Sequence, residues 1–244
     1  MKKEFPEVKV MGERAIIIEF KPVIDEKLLE KILFYKKIIE EYYIKLKVEV
    51  INTYNSLLVY YVYDIENVYS EVLPLKGLLD TPNIPKKVNS LLYYIPVCYD
   101  LDFGLDLELL ANQKSCSVAE IINLHTLPVY TVYFIGFLPG FLYLGGLDKK
   151  LHISRKEQPR MKVEKGAVGI GENQTGIYPK SSPGGWQIIG KSPVDFFDRN
   201  SVPPCEIDAG DKVKFQSITR KEFDEISDKI NSGIFQIKKE KYEG

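Results

Sequence analysis

Two glycine-rich stretches decide how this chain reads: GFLPGFLYLGGL, residues 136–147, and GAVGIGENQTGIYPKSSPGGWQIIGKSP, residues 166–193. Most of the chain's 17 glycines, its one tryptophan and several of its prolines fall in or near them. Glycine reaches backbone angles other residues avoid and lets another backbone approach closely. Proline sets φ and removes a donor. Interleaved with Phe, Tyr, Trp and Ile rather than Ser or Lys, the region is not a flexible linker. It reads as short strands joined by shaped loops, and as the place to expect a site. MKVEK (161–165), AVGIG (167–171), TGIYP (175–179), GWQIIG (185–190) and DKVKFQSI (211–218) are each bounded by Gly, Pro or Asn. Many short strands at close spacing predict a barrel or sandwich.

Working outward, LLYYIPVCY (91–99) and VYTVYFIGF (129–137) read as further strands. Two short helices lie between them, the second opening with Ser117 and Glu120 at capping-box spacing. TRKEFDEISDKIN (219–231) reads as a helix and IFQIKKEK (234–241) as a last strand, with the terminal KKEKYEG (238–244) expected to fray. Upstream the pattern changes. VKVMGERAIIIEF (8–20) reads as a strand pair around Gly12 or one bulged strand. Leu28, Ile32, Tyr35 and Ile39 recur at helical spacing over 25–42. Residues 44–52 and 56–63 form a hairpin pattern around Asn52–Asn55, and 65–79 a second helix. This β-α-β-β-α order predicts a small α+β domain with helices on one face of an antiparallel sheet. TPNIPKKVNS (81–90), polar with two prolines, marks the boundary, giving domains 1–85 and 86–244. Tyr54, Tyr60, Tyr61 and Tyr63 serve either core packing or a partner-facing surface.

Bulk properties exclude several classes. The 244 residues are 45% hydrophobic and 27% charged, with net charge −1, so no basic excess exists to neutralise nucleic-acid phosphates. MKKEFPEVKV lacks the apolar core of a signal peptide, and no run is long and apolar enough to predict a transmembrane helix. Three cysteines, Cys98, Cys116 and Cys205, without a CxxC, argue against a disulfide framework or structural zinc and for a reducing cytoplasm. Two histidines, His125 and His152, leave little for a metal centre, and none is expected.

Residues 185–192 satisfy GxxxxGK[ST], the phosphate-binding loop. The interior Trp186-Gln187-Ile188-Ile189 is itself a strand pattern, and Pro193 disfavours the helix that must begin at Lys191-Ser192, so a true phosphate loop is rejected. His125 closes an amphipathic helix, where it either complements the dipole or serves as a base facing the glycine-rich loops. Arg160 either is a solvated surface residue or offers a bidentate fork to a carboxylate or phosphate. Trp186, Tyr178, Phe137, Phe141 and Tyr143 either line an apolar pocket or fill a barrel core. Cys205 reads as a small buried apolar residue.

At these residues the chain resembles a known family. YFIGFLPGFLYLGGLD (133–148), Pro159-Arg160 and GAVGIGENQTGIYPKSSPGGWQIIGKSP (166–193) closely resemble the 5-oxoprolinase B-chain family (PxpB), also called KipI or allophanate hydrolase subunit 1, related to the carboxyltransferase region of urea carboxylases. GERA (12–15), IPVCYD (95–100) and PPCEIDAGDKVKF (203–215) extend the likeness, which weakens after about residue 218; Leu142 and the Glu172-Asn173 pair depart from the pattern. The resemblance implies a ferredoxin-like α+β N-terminal domain followed by a mainly-β, cyclophilin-like barrel. It implies work with two partner subunits, one KipA-like and one LamB/YcsF-like, hydrolysing 5-oxo-L-proline to L-glutamate with ATP. A regulatory member of the family instead inhibits a sporulation histidine kinase. Carried over by motif, the expected catalytic residues are Arg160, Gln174 and His125. The expected substrate-binding residues are Phe137, Pro139, Phe141, Tyr143, Thr175, Tyr178, Ser182, Gly184, Gly185, Trp186 and Gln187. A prolyl isomerase, suggested by the barrel, rests on fold analogy alone.

Overall fold

A computed structural model describes residues 5–45, 48–82 and 90–243. The chain divides into two compact units, Met1–Val88 and Asn89–Gly244. Of the expected boundary segment 81–90, residues 83–89 lie outside the described residues.

The first unit holds strands β1 (Glu7–Val10), β2 (Ala15–Glu19), β3 (Val48–Asn52) and β4 (Ser56–Tyr61), with helices α1 (Glu26–Tyr42) and α2 (Val68–Leu79). The antiparallel sheet runs β1-β2-β4-β3. Of the two readings of 8–20, the strand pair is the one observed: Gly12 takes φ +69° at the turn, which favours glycine. The fourth strand of the sheet is therefore the N-terminal β1, placed before the first helix and not after the second, so the order departs from the β-α-β-β-α-β succession of a ferredoxin-like unit. Alternation along β2 and β4 turns Ile16, Ile18, Leu57, Val59 and Tyr61 onto one face, where they meet Leu28, Ile32, Tyr35 and Ile39 of α1. At the start of that helix Leu28 packs half-buried against this core, and Leu29 is buried as well. The same alternation turns Tyr60 away from Tyr61, and Tyr63 lies past the end of β4. Tyr61 is buried and bonds Tyr43, whose hydroxyl reaches Glu71, whereas Tyr60 and Tyr63 are exposed.

The second unit comprises strands β5 (Leu91–Cys98), β6 (Tyr130–Ile135), β7 (Leu142–Gly145), β8 (Arg160–Val163), β9 (Ala167–Gly171), β10 (Gln174–Ile177), β11 (Ser182–Gly184), β12 (Gln187–Lys191), β13 (Lys212–Ile218) and β14 (Lys238–Lys241). Its helices are α3 (Leu107–Lys114), α4 (Val118–Thr126) and α5 (Arg220–Asn231). Strands β12-β9-β10-β7-β6-β13-β5 form a seven-stranded ring, closed where Lys191 of β12 pairs with Cys98 of β5. Only β13 and β5 run parallel in this ring. Alternate residues of each strand fill the main core, among them Val97, Val132, Leu144, Ile170, Ile189 and Phe215. β8 and β11 form a separate two-stranded ribbon. Residues 238–241, expected to fray, instead pair with β5 as an added edge strand. The stretch resembling a phosphate loop holds the strand β12, and the next element is the strand β13, not a helix.

Candidate active-site face

Strands β9 and β10 pair so that Gly169 lies opposite Gly176, and Gly171 opposite Gln174, on the face turned away from the main core. The missing side chains make room for the indole of Trp186. A Cβ at Gly171 would stand 2.6 Å from Trp186 Nε1, and one at Gly169 3.1 Å from Trp186 Cβ. Around the indole gather Phe141, Tyr143 and Tyr178. Phe141 meets the rings of Trp186 and Tyr178 edge-on at 5.4 and 5.1 Å, and Tyr143 stacks on Phe134 at 4.2 Å. Such offset and edge contacts are favourable for aromatic quadrupoles. Phe141, Tyr178 and Trp186 thus form a buried cluster of their own, apart from the main core of the barrel, with Tyr143 packed against it half-buried.

The GFLPGF turn presents the next layer. Phe137 is 63% exposed and sits at φ +67°, an angle unfavourable for a bulky residue. Its ring leans edge-on against Phe141 at 5.6 Å. Pro139 is exposed beside it, and Gly140, at φ +82°, lets the turn close against Phe196 and Phe197. Gly184 lacks a side chain where the Tyr178 hydroxyl approaches, and Ser182 is half-buried and bonds the Pro183 carbonyl. The Gly185 carbonyl accepts the Lys156 N–H at 2.7 Å.

Arg160 does not stand free. Its Nη2 donates to Asp106 Oδ1 at 2.7 Å, and Lys156 Nζ reaches the same oxygen at 3.0 Å. Asp106 Oδ2 accepts the Ile188 N–H at 2.7 Å, and the Ile188 carbonyl accepts the Asp106 N–H in return. Asp106 is 3% exposed and enters α3. Burial pushes its carboxyl upward, but Arg160, the Ile188 amide and Lys156 outweigh this and hold it below the usual range. Arg160 Nη1 is a buried donor without a partner, and Gln174 Oε1 and Gln187 Oε1 are buried acceptors without one.

Three expected site residues belong to the main core side instead. Thr175 and Gln187 both pair with Ile170, whose side chain fills that core. His125 is fully buried, stacked on Phe215 at 4.6 Å. Its Nε2 lies 2.9 Å from Thr175 Oγ1, which donates to the Gly169 carbonyl, and its Nδ1 lies 2.7 Å from the Tyr99 hydroxyl. Since the Thr175 proton is committed, Nε2 carries the imidazole hydrogen and Nδ1 accepts from Tyr99. Burial holds the imidazole down to about 3, so it stays neutral. With both nitrogens engaged and no solvent path, His125 does not face the glycine-rich loops as a base; it braces Thr175 and, through it, β9.

Sequence reasoning missed Asp106, Lys156 and Arg155. Arg155 is exposed, its guanidinium 5.8 Å from the centroid of Trp186. Burial raises the phenols of Tyr143 and Tyr178, with the charge of Arg155 pulling both the other way. A cavity of about 460 Å³ beside α5, lined by residues such as Val194, Ile230 and Phe235, shares none of these side chains. Among the described residues no group of three or more His, Cys, Asp or Glu could hold a metal ion, and no helix is long and apolar enough to cross a membrane.

A seven-stranded barrel with a separate small sheet, carrying a glycine-floored aromatic cluster, defines a class: the chain belongs to the family of the carboxyltransferase domain, subdomain C and D, which matches residues 6–207. Among its relatives is a Bacillus subtilis (strain 168) protein named as the B subunit of 5-oxoprolinase, 36% identical over 239 residues, covering 92% of this chain and 98% of that one. The crystal structure of TTHA0988 superposes with a TM-score of 0.71 at 30% identity over 84% of this chain, which spans 40% of that longer chain. The Kluyveromyces lactis urea carboxylase shares the fold, with a TM-score of 0.80 at 19% identity over 96% of this chain and 24% of that one.

Proposed function

We propose that the chain is the B subunit of an ATP-dependent 5-oxoprolinase, contributing a substrate-binding face to a complex that opens 5-oxo-L-proline to L-glutamate. The observation that carries this reading is the 36% identity, over nearly the whole of both chains, to the Bacillus protein named for that role. The chemistry fits the face. A lactam is an unreactive amide, so its carbonyl oxygen must be activated by ATP before water attacks the carbon, and the ring must be held meanwhile. The half-buried Tyr143 and the exposed Phe137 offer apolar surface backed by the buried Trp186 and Phe141. Gln174, beside Gly171 in the sheet, supplies an acceptor matched to a lactam N–H. In this reading the barrel is of the cyclophilin-like kind, and the complex works in the cytoplasm. Its other members are a KipA-like protein and a LamB/YcsF-like protein, and ATP binds on or together with one of them.

The test is glutamate release from 5-oxo-L-proline by the complex reconstituted from all three proteins, with and without this chain. Release that requires both ATP and the chain is expected. Equal release without the chain overturns the reading.

A further inference from the structure

We propose that Arg155, not Arg160, is the side chain that binds the substrate's carboxylate on the Trp186 face. This rests on the reading above, that the substrate is a small cyclic amide bearing a carboxylate. The two arginines differ in how their charge is spent. Arg160 gives its Nη2 to Asp106, which it shares with Lys156, so one arm of its fork is held by a buried carboxylate and the other, Nη1, is itself buried. Turning it toward a substrate would leave Asp106 with one cation in a site that is 3% exposed. Arg155 makes no ion pair among the described residues; its contact is the indole face of Trp186. A guanidinium lying over a ring keeps its in-plane N–H edge free, and that edge matches a carboxylate bidentately.

Arg155 is also positioned, not trailing. On one side Ile153 and Glu172 exchange both backbone bonds, at 3.0 and 2.7 Å. On the other the Lys156 N–H is held by Gly185 at 2.7 Å. The two anchors fasten the segment to the β9–β10 turn and to the residue before Trp186. A ring resting on Tyr143, the half-buried member of the cluster, which also feels the charge of Arg155, would bring its carboxylate to Arg155, with its amide toward Gln174.

The test uses the reconstituted complex with Arg155→Gln and Arg155→Lys, 5-oxo-L-proline as substrate and 2-pyrrolidinone, the same lactam without the carboxylate, as competing inhibitor. Losing a charge-assisted pair should raise KM for 5-oxo-L-proline by about 10- to 100-fold in Arg155→Gln, less in Arg155→Lys, with kcat changed no more than about threefold. The inhibition constant of 2-pyrrolidinone should not move. Arg160→Gln should instead lower the thermal midpoint of the isolated chain. An Arg155→Gln complex with wild-type KM overturns the inference while leaving the proposed role in the complex intact, as does an equal loss of 2-pyrrolidinone binding. A complex whose activity never depended on the chain removes both. Trp186 is the chain's one tryptophan. A shift of its emission on adding 5-oxo-L-proline, lost in Arg155→Gln, is a second expected sign; a shift that survives in the variant speaks against the inference.

Discussion

Asp106 and His125 are the buried groups through which this protein's stability should depend on acid. Asp106 compensates two cations and one amide from a site closed to water. Asp106→Asn keeps the shape and an acceptor for Ile188 but leaves Arg160 and Lys156 unmatched. Because both cations reach some solvent, the cost should lie below that of a fully buried pair, at about 2 kcal/mol by urea unfolding. Its folded pKa lies below the unfolded value, so the contribution is complete above the ordinary carboxylate range and drains as pH falls through it. The variant should therefore lose stability less steeply below about pH 4 than the wild type. His125 acts at milder pH. Its folded pKa, about 3, lies under the usual 6.5. Above that usual value both states are neutral. Below it the unfolded chain takes up a proton the folded one refuses, and stability falls by up to about 1.4 kcal/mol per pH unit. His125→Gln should flatten the decline in urea midpoint between about pH 6.5 and about pH 5; a wild-type slope in the variant would assign that decline to other groups. Neither role was legible in the sequence. Asp106 lies 54 positions from Arg160, and His125 lies 50 from Thr175. Arg155 looks from sequence like any polar loop residue, because only the fold lays it over an indole.

At the scale of elements, the glycines of β9 and β10 were legible as sites of close approach, but what approaches them was not. Alternation explains why: Val168 and Ile170 advertise one buried face, while Gly169, Gly171 and Gly176 leave the other face blank in sequence. The blank side holds an indole from the far end of the next ribbon. Gly171→Ala would place a methyl 2.6 Å from Trp186 Nε1, so the indole must tilt outward. A cost of about 1–3 kcal/mol is expected, with a red-shifted tryptophan emission. Unchanged emission and midpoint would show that the ring is not seated on this strand. Helices were read more fully, since their caps are local. Ser117 accepts the Glu120 N–H at 3.1 Å, and Thr219 with Glu222 forms a reciprocal box opening α5.

Across the whole molecule, ring closure by β12 and β5 makes β14 an addition to a barrel already complete. Deleting residues 238–244 should cost about 1–2 kcal/mol of edge pairing and leave the near-ultraviolet circular dichroism of the aromatic cluster in place. Collapse of that signal would mean the ring depends on its added strand. The sequence by itself determined the punctuation of the chain: a first part mixing strands and helices, a strand-rich second part, and a segment dense in glycine and aromatic residues. It could do so because periodicity, capping and turn chemistry act over a few residues. Only the tertiary structure decided that β1 completes the first sheet, that residues 238–241 join β5, that His125 is inside and that Arg160 is already paired. The first two depend on which strand edges meet across the chain, and the last two on which distant groups share one small buried volume; neither is a property of any single segment.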